Sequence, residues 1–132
     1  MRHRSAVEWE RRLKAVFDEI DIELEAEYGE RYPLREGRPM PGTTSNAEWD
    51  GLFNLGASFS PGYGSEHGRG YIVQVRIVTP KRVPRKVMDE IEARVVDLLE
   101  AKLPAAFPHR ELRVERDGNA YKIIGDLGLG EV

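Results

Sequence analysis

Residues 52–79 read LFNLGASFS, then PGYGSEHGRG, then YIVQVRIVT, and this stretch decides the fold. In the first run Phe53, Leu55, Ala57 and Phe59 fall on one face of an extended chain, with Asn54, Gly56, Ser58 and Ser60 on the other. In the third run Tyr71, Val73, Val75 and Ile77 alternate with Ile72, Gln74, Arg76 and Val78. Period-two alternation with one small or polar face is the mark of an antiparallel sheet covered on one side. The spacing therefore predicts a hairpin over 52–79, joined by a glycine-rich connection longer than a tight turn.

Working outward, the N-terminal side carries an amphipathic helix over 5–28. Trp9, Leu13, Val16, Ile20 and Leu24 recur at three- and four-residue steps, and Ile22 falls off that stripe. Ser5 and Glu8 have capping-box spacing, and Gly29 suits the position after the end. The helix is charge-segregated, with Arg11, Arg12 and Lys14 early and only acids from Asp18 to Glu30. That order opposes the helix dipole. The plain reading is a solvated face; the sharper one is a basic partner for the acidic half, such as an antiparallel copy of the same helix.

Between helix and hairpin, residues 30–50 contain Pro33, Pro39, Pro41, Gly37 and Gly42, which forbid a long helix or a central strand. This is an irregular crossing, with Tyr32, Leu34, Met40 and Trp49 as expected anchors and one helical turn near residues 46–50. On the C-terminal side, Val87, Ile91, Val95, Leu98, Leu99 and Leu103 form the stripe of a second helix over 83–103, with Pro84 in its first turn and Pro104 as its stop. A second hairpin over 111–125 is expected to turn at Asp117-Gly118, pairing Val114 with Tyr121 and Leu112 with Ile123. Residues 126–132 read as a glycine-rich tail.

The expectation is a single α+β domain over residues 1–132, a two-layer sandwich in the order α-β-β-α-β-β. Its four-stranded, mainly antiparallel sheet carries both helices on one face.

Composition narrows the function classes. The chain has 132 residues, 40% hydrophobic and 33% charged, with no cysteine. Disulfides, thiolate metal sites and a cysteine nucleophile are thereby excluded. The net charge of -3 argues against whole-molecule attraction to nucleic acid, though a local basic patch is compatible with it. No apolar run is long enough for a membrane span, and the N-terminus has no apolar signal core, so a cytoplasmic protein is expected.

Candidate site residues are few. Glu66 and His67 stand in the glycine-rich connection, as loop candidates for chemistry or as ordinary solvated polar residues. The glycines there do not open a helix, so the phosphate-cradle logic fails. His3, His67 and His109 lack metal-ligand spacing, and no catalytic residue, metal or cofactor is assigned. Lys81, Arg82, Arg85 and Lys86 cluster at the start of the second helix, where free N–H groups favour anions, and Arg69 is a candidate addition. The leading functional expectation is a homodimeric or protein-binding module without catalytic activity. The alternative is binding of a phosphate-bearing ligand or nucleic-acid backbone through the basic cluster.

Overall fold

The computed structural model describes residues 4–65 and 67–127. Its elements are α1 (Arg4–Tyr28), a 3-10 turn (Ala47–Trp49), β1 (Phe53–Ser60), β2 (Gly70–Ile77), α2 (Arg85–Ala106), β3 (Leu112–Asp117) and β4 (Ala120–Gly125). The expected α+β order is present. The four strands form one antiparallel sheet in the order β1-β2-β4-β3.

The hairpin pairs Phe53 with Ile77, Leu55 with Val75 and Phe59 with Tyr71, in register with the alternation. β4 joins β2 only through Tyr71–Ile123, Ile72–Lys122 and Val73–Tyr121. The apolar face of the sheet meets the stripes of both helices in one core, which contains Trp9, Leu13, Ile20, Leu24, Phe53, Leu55, Ile91, Leu99 and Ile123. A fully buried side chain of this size contributes about 1.5–3 kcal/mol of transfer free energy, so packing outweighs the dipole mismatch on α1.

The acidic half of α1 does have a basic partner, and it is α2. Arg94 reaches Glu27 at 2.9 Å, and Lys102 reaches Glu23 at 2.9 Å and Glu19 at 3.4 Å. Rising numbers on α1 meet falling numbers on α2, so the helices run antiparallel.

Several boundaries and contacts differ from expectation. α1 already includes Arg4, so Ser5 is not a cap; the Glu8 carboxylate instead takes Arg11 at 2.6 Å and Arg12 at 3.2 Å. α2 runs past Pro104 to Ala106, because a proline in the last turn costs only one backbone bond. The second hairpin turns one residue later than expected, at Gly118-Asn119, pairing Val114 with Ile123 and Leu112 with Gly125. Gly118 has φ +66 and Asn119 does not have positive φ, which is the pattern of a turn with glycine at its first central position. The faces are unchanged, because the shift moves each partner by two residues. Leu127, assigned to the tail, is buried in the core, while the rest of the tail from residue 128 lies outside the described residues.

Candidate functional site

The crossing segment is held by polar contacts more than by its expected apolar anchors. Tyr32 and Leu34 pack against the core, but Met40 and Trp49 are 64% and 62% exposed. The Arg38 guanidinium donates to the carbonyls of Gly51 (3.0 Å), Asp50 (3.0 Å) and Phe53 (3.1 Å). Thr44 donates its backbone N–H (3.0 Å) and its hydroxyl (2.7 Å) to Asp50 Oδ2. On the helix side, Glu25 Oε2 accepts the Leu52 N–H at 2.6 Å. Lys14 bridges the two elements, 3.0 Å from Asp18 and 2.9 Å from Asn46 Oδ1.

Beside these contacts lies an open cavity of about 440 Å³, with Asp18, Asp21, Glu25 and Asp50 as its acids and Ile22, Pro41 and Ala47 among its apolar walls. Its carboxyls are not equivalent. Asp21 is only 4% exposed, and no hydrogen bond or ion pair to it occurs among the described residues. Burial first, then the negative fields of Glu25, Asp50 and Asp18, push its carboxyl up to about 8, and Arg38 only partly offsets them. Beside it, Glu25 Oε1 is buried with no hydrogen-bond partner, a state that costs about 1–3 kcal/mol.

Burial likewise raises Glu25, against the opposing pull of the Leu52 and Phe53 N–H groups. Burial alone would raise Asp50 too. The donations from Thr44 and Gly42, with Arg38 nearby, outweigh it and hold this carboxyl below its ordinary value. Among the described residues no group of three or more His, Asp or Glu could hold a metal ion. Three exposed apolar side chains belong to the same region. Ile22, 67% exposed, lines the cavity; Met40 adjoins Pro41; and Trp49 lies between Ala47 and Asp50.

The glycine-rich connection is a clasp on the second hairpin. Lys122, paired with Ile72 on the sheet face away from the helices, has a side chain only 3% exposed. It reaches Asp117 at 2.9 Å, donates to Gly68 O at 2.7 Å and donates to Ser65 Oγ at 3.1 Å. The three partners match the three donors of an ammonium. The His67 N–H donates to Asp117 Oδ2 at 3.2 Å, and its Nε2 lies 3.1 Å from Arg116 O. His67 is thus tied to the β3–β4 hairpin and does not meet the start of α2; Glu66 lies outside the described residues.

The basic cluster is not assembled with Arg69. Arg69 precedes β2 and the cluster follows it, so eight residues of strand separate them by roughly 25 Å. Arg85 is engaged by Asp89 at 2.9 Å and Glu92 at 3.4 Å, whereas Lys81, Arg82 and Lys86 are exposed.

A family model described as "Uncharacterised protein" matches residues 4–125, from the first helix through the last strand. The chain belongs to that family. A protein of Borreliella burgdorferi, described as "Uncharacterized protein", is 37% identical over 118 residues, covering 89% of this chain and 92% of that one. No solved structure gives a significant match. Among the described residues no helix is long and apolar enough to cross a membrane.

The cavity was missed from sequence because Asp21 and Glu25 look like two more acids in an acidic run. One signal was available. Like charges four residues apart on a helix are mutually unfavourable, and no base lies between Ala15 and Glu30 to relieve them.

Proposed function

We propose that this protein is a docking module without catalytic activity, and that it receives a basic segment of another protein on the face made by Ile22, Met40, Trp49 and the acidic cavity between them. What carries the reading is the exposure of Trp49, 62%, beside a cavity walled by carboxyls. Ile22 on α1 and Met40 and Trp49 on the crossing segment are three of the six large apolar side chains exposed among the described residues. Tryptophan and methionine are enriched at protein interfaces, and tryptophan is a common anchor of binding energy. The sign of the cavity selects the partner: a basic segment gains long-range attraction, and an acidic one is repelled.

Labelled peptides of equal length and equal apolar content, one lysine- and arginine-rich and one acidic, test this by fluorescence anisotropy. The basic peptide is expected to bind, more weakly as salt rises. Trp49→Ala is expected to weaken it by about tenfold or more, as for an interface anchor. Lys81→Glu with Arg82→Glu is expected to change nothing. Equal binding of the two peptides, or indifference to Trp49→Ala, contradicts the reading. A dimer in sedimentation that Trp49→Ala dissolves would make the occupant a second copy of the chain.

A further inference from the structure

Asp21 is what the docking face leaves unexplained. The residue lines the cavity and is 4% exposed as a whole, and no hydrogen bond or ion pair to its carboxyl occurs among the described residues. Asp50 is served by Thr44, and Glu25 only in part: its Oε2 takes the Leu52 N–H while its Oε1 is buried without a partner and can share an arriving donor. At about 440 Å³ the cavity is large enough for a bound group, since small-molecule sites begin near about 300 Å³.

We propose that the cavity is a socket for one basic side chain, in which the ammonium of a lysine or the guanidinium of an arginine enters beside Asp21 and supplies its missing partner. The inference rests on the docking reading above and names the group that the docked segment must present. The walls suit the two ends of such a side chain. Ile22, Pro41 and Ala47 offer apolar surface to an aliphatic stem, and the carboxyls offer acceptors to a charged head. The acceptors come from α1 and from the far side of the crossing segment, a spread that matches the several donors of an organic cation. Geometry for a metal ion is absent among the described residues.

Occupation is coupled to a proton. The groups facing Asp21 are Asp18 and Glu25 from α1 and Asp50 and Arg38 from the crossing segment. Burial and the three carboxylates, against the opposing pull of Arg38, keep Asp21 protonated near neutral pH, so an arriving cation must displace that proton. Affinity for a basic side chain therefore falls about tenfold for each pH unit below the Asp21 value.

The test is an amide NMR titration of the full chain with three probes: N-acetyl-lysine methylamide, N-acetyl-arginine methylamide, and N-acetyl-norleucine methylamide as the uncharged stem. The cationic probes are expected to shift the amides of Asp21, Thr44 and Asp50, and the norleucine probe is not. Between about pH 6 and about pH 8 their affinity is expected to rise on the order of a hundredfold, and Asp21→Asn is expected to weaken it and abolish the rise. Shifts that norleucine reproduces, or an unchanged titration in a folded Asp21→Asn variant, overturn the socket. So does silence of these amides with every probe while a whole basic peptide still moves Trp49; in that case the docking face stands and the socket falls.

Discussion

The Lys122 ammonium and the Asp117 carboxylate lie 2.9 Å apart on the sheet face away from the helices, with side chains only 3% and 10% exposed. Ser65 and Gly68 take the remaining donors of the lysine, so the pair fastens the connection between β1 and β2 to the β3–β4 hairpin. Removing one member of a buried pair leaves the other charge uncompensated. Lys122→Met is therefore expected to cost about 3–5 kcal/mol in urea unfolding. It is also expected to speed hydrogen exchange at His67, whose N–H rests on the same Asp117. A loss below about 1 kcal/mol, the range of an exposed pair, would contradict the clasp.

Gly51 sits at φ +73, and a Cβ there would overlap Glu25 Oε2. Gly118 has a similar φ of +66, with nothing within 4 Å of its missing Cβ. Alanine at Gly118 is expected to lose about 1 kcal/mol, the backbone cost alone. Alanine at Gly51 adds the collision with Glu25 and is expected to lose at least about 2 kcal/mol by the same measurement, within the range for strain plus overpacking. Equal losses at the two sites would show that the Glu25 contact is not formed.

Asp21 makes stability depend on pH in a known direction. Below the ordinary carboxylate value, near about 4, folded and unfolded chains both hold its proton. From there up to about 8 only the folded chain holds it, so this group's contribution to stability declines as pH rises, and above about 8 it is level. Asp21→Asn removes the dependence. The variant is expected to match the native chain near about pH 4 and to gain on it by up to about 1.4 kcal/mol per pH unit across the window. A difference between the two proteins that does not change with pH would refute the assignment.

The parts of this molecule that were legible in its sequence are those fixed by neighbours along the chain. Alternation over residues 53–59 and 71–77 and the stripes of Leu13–Ile20–Leu24 and Ile91–Val95–Leu99 need no distant partner to be read, and these side chains lie in the core or pack against it, except Phe59 near the end of β1, which is 47% exposed. The burial of Lys122 was not legible, because local alternation sets only its place on the open face, whereas its cover comes from Ser65 and Gly68, more than fifty residues away. Met40 and Trp49 were misread as anchors because an apolar side chain in a crossing segment gives no sign of direction. Asp21 could not be singled out among the eight acids on α1, since only the path of the crossing segment decides which of them it covers.

Trp49 offers a direct view of the docking face, because it is 62% exposed while the other tryptophan, Trp9, is 2% exposed. Acrylamide quenching of native fluorescence therefore reports mainly on Trp49. Titration with the lysine- and arginine-rich peptide is expected to lower the quenching constant toward that of a buried indole, with no such change for the acidic peptide. An undiminished quenching constant at saturating basic peptide would contradict the account.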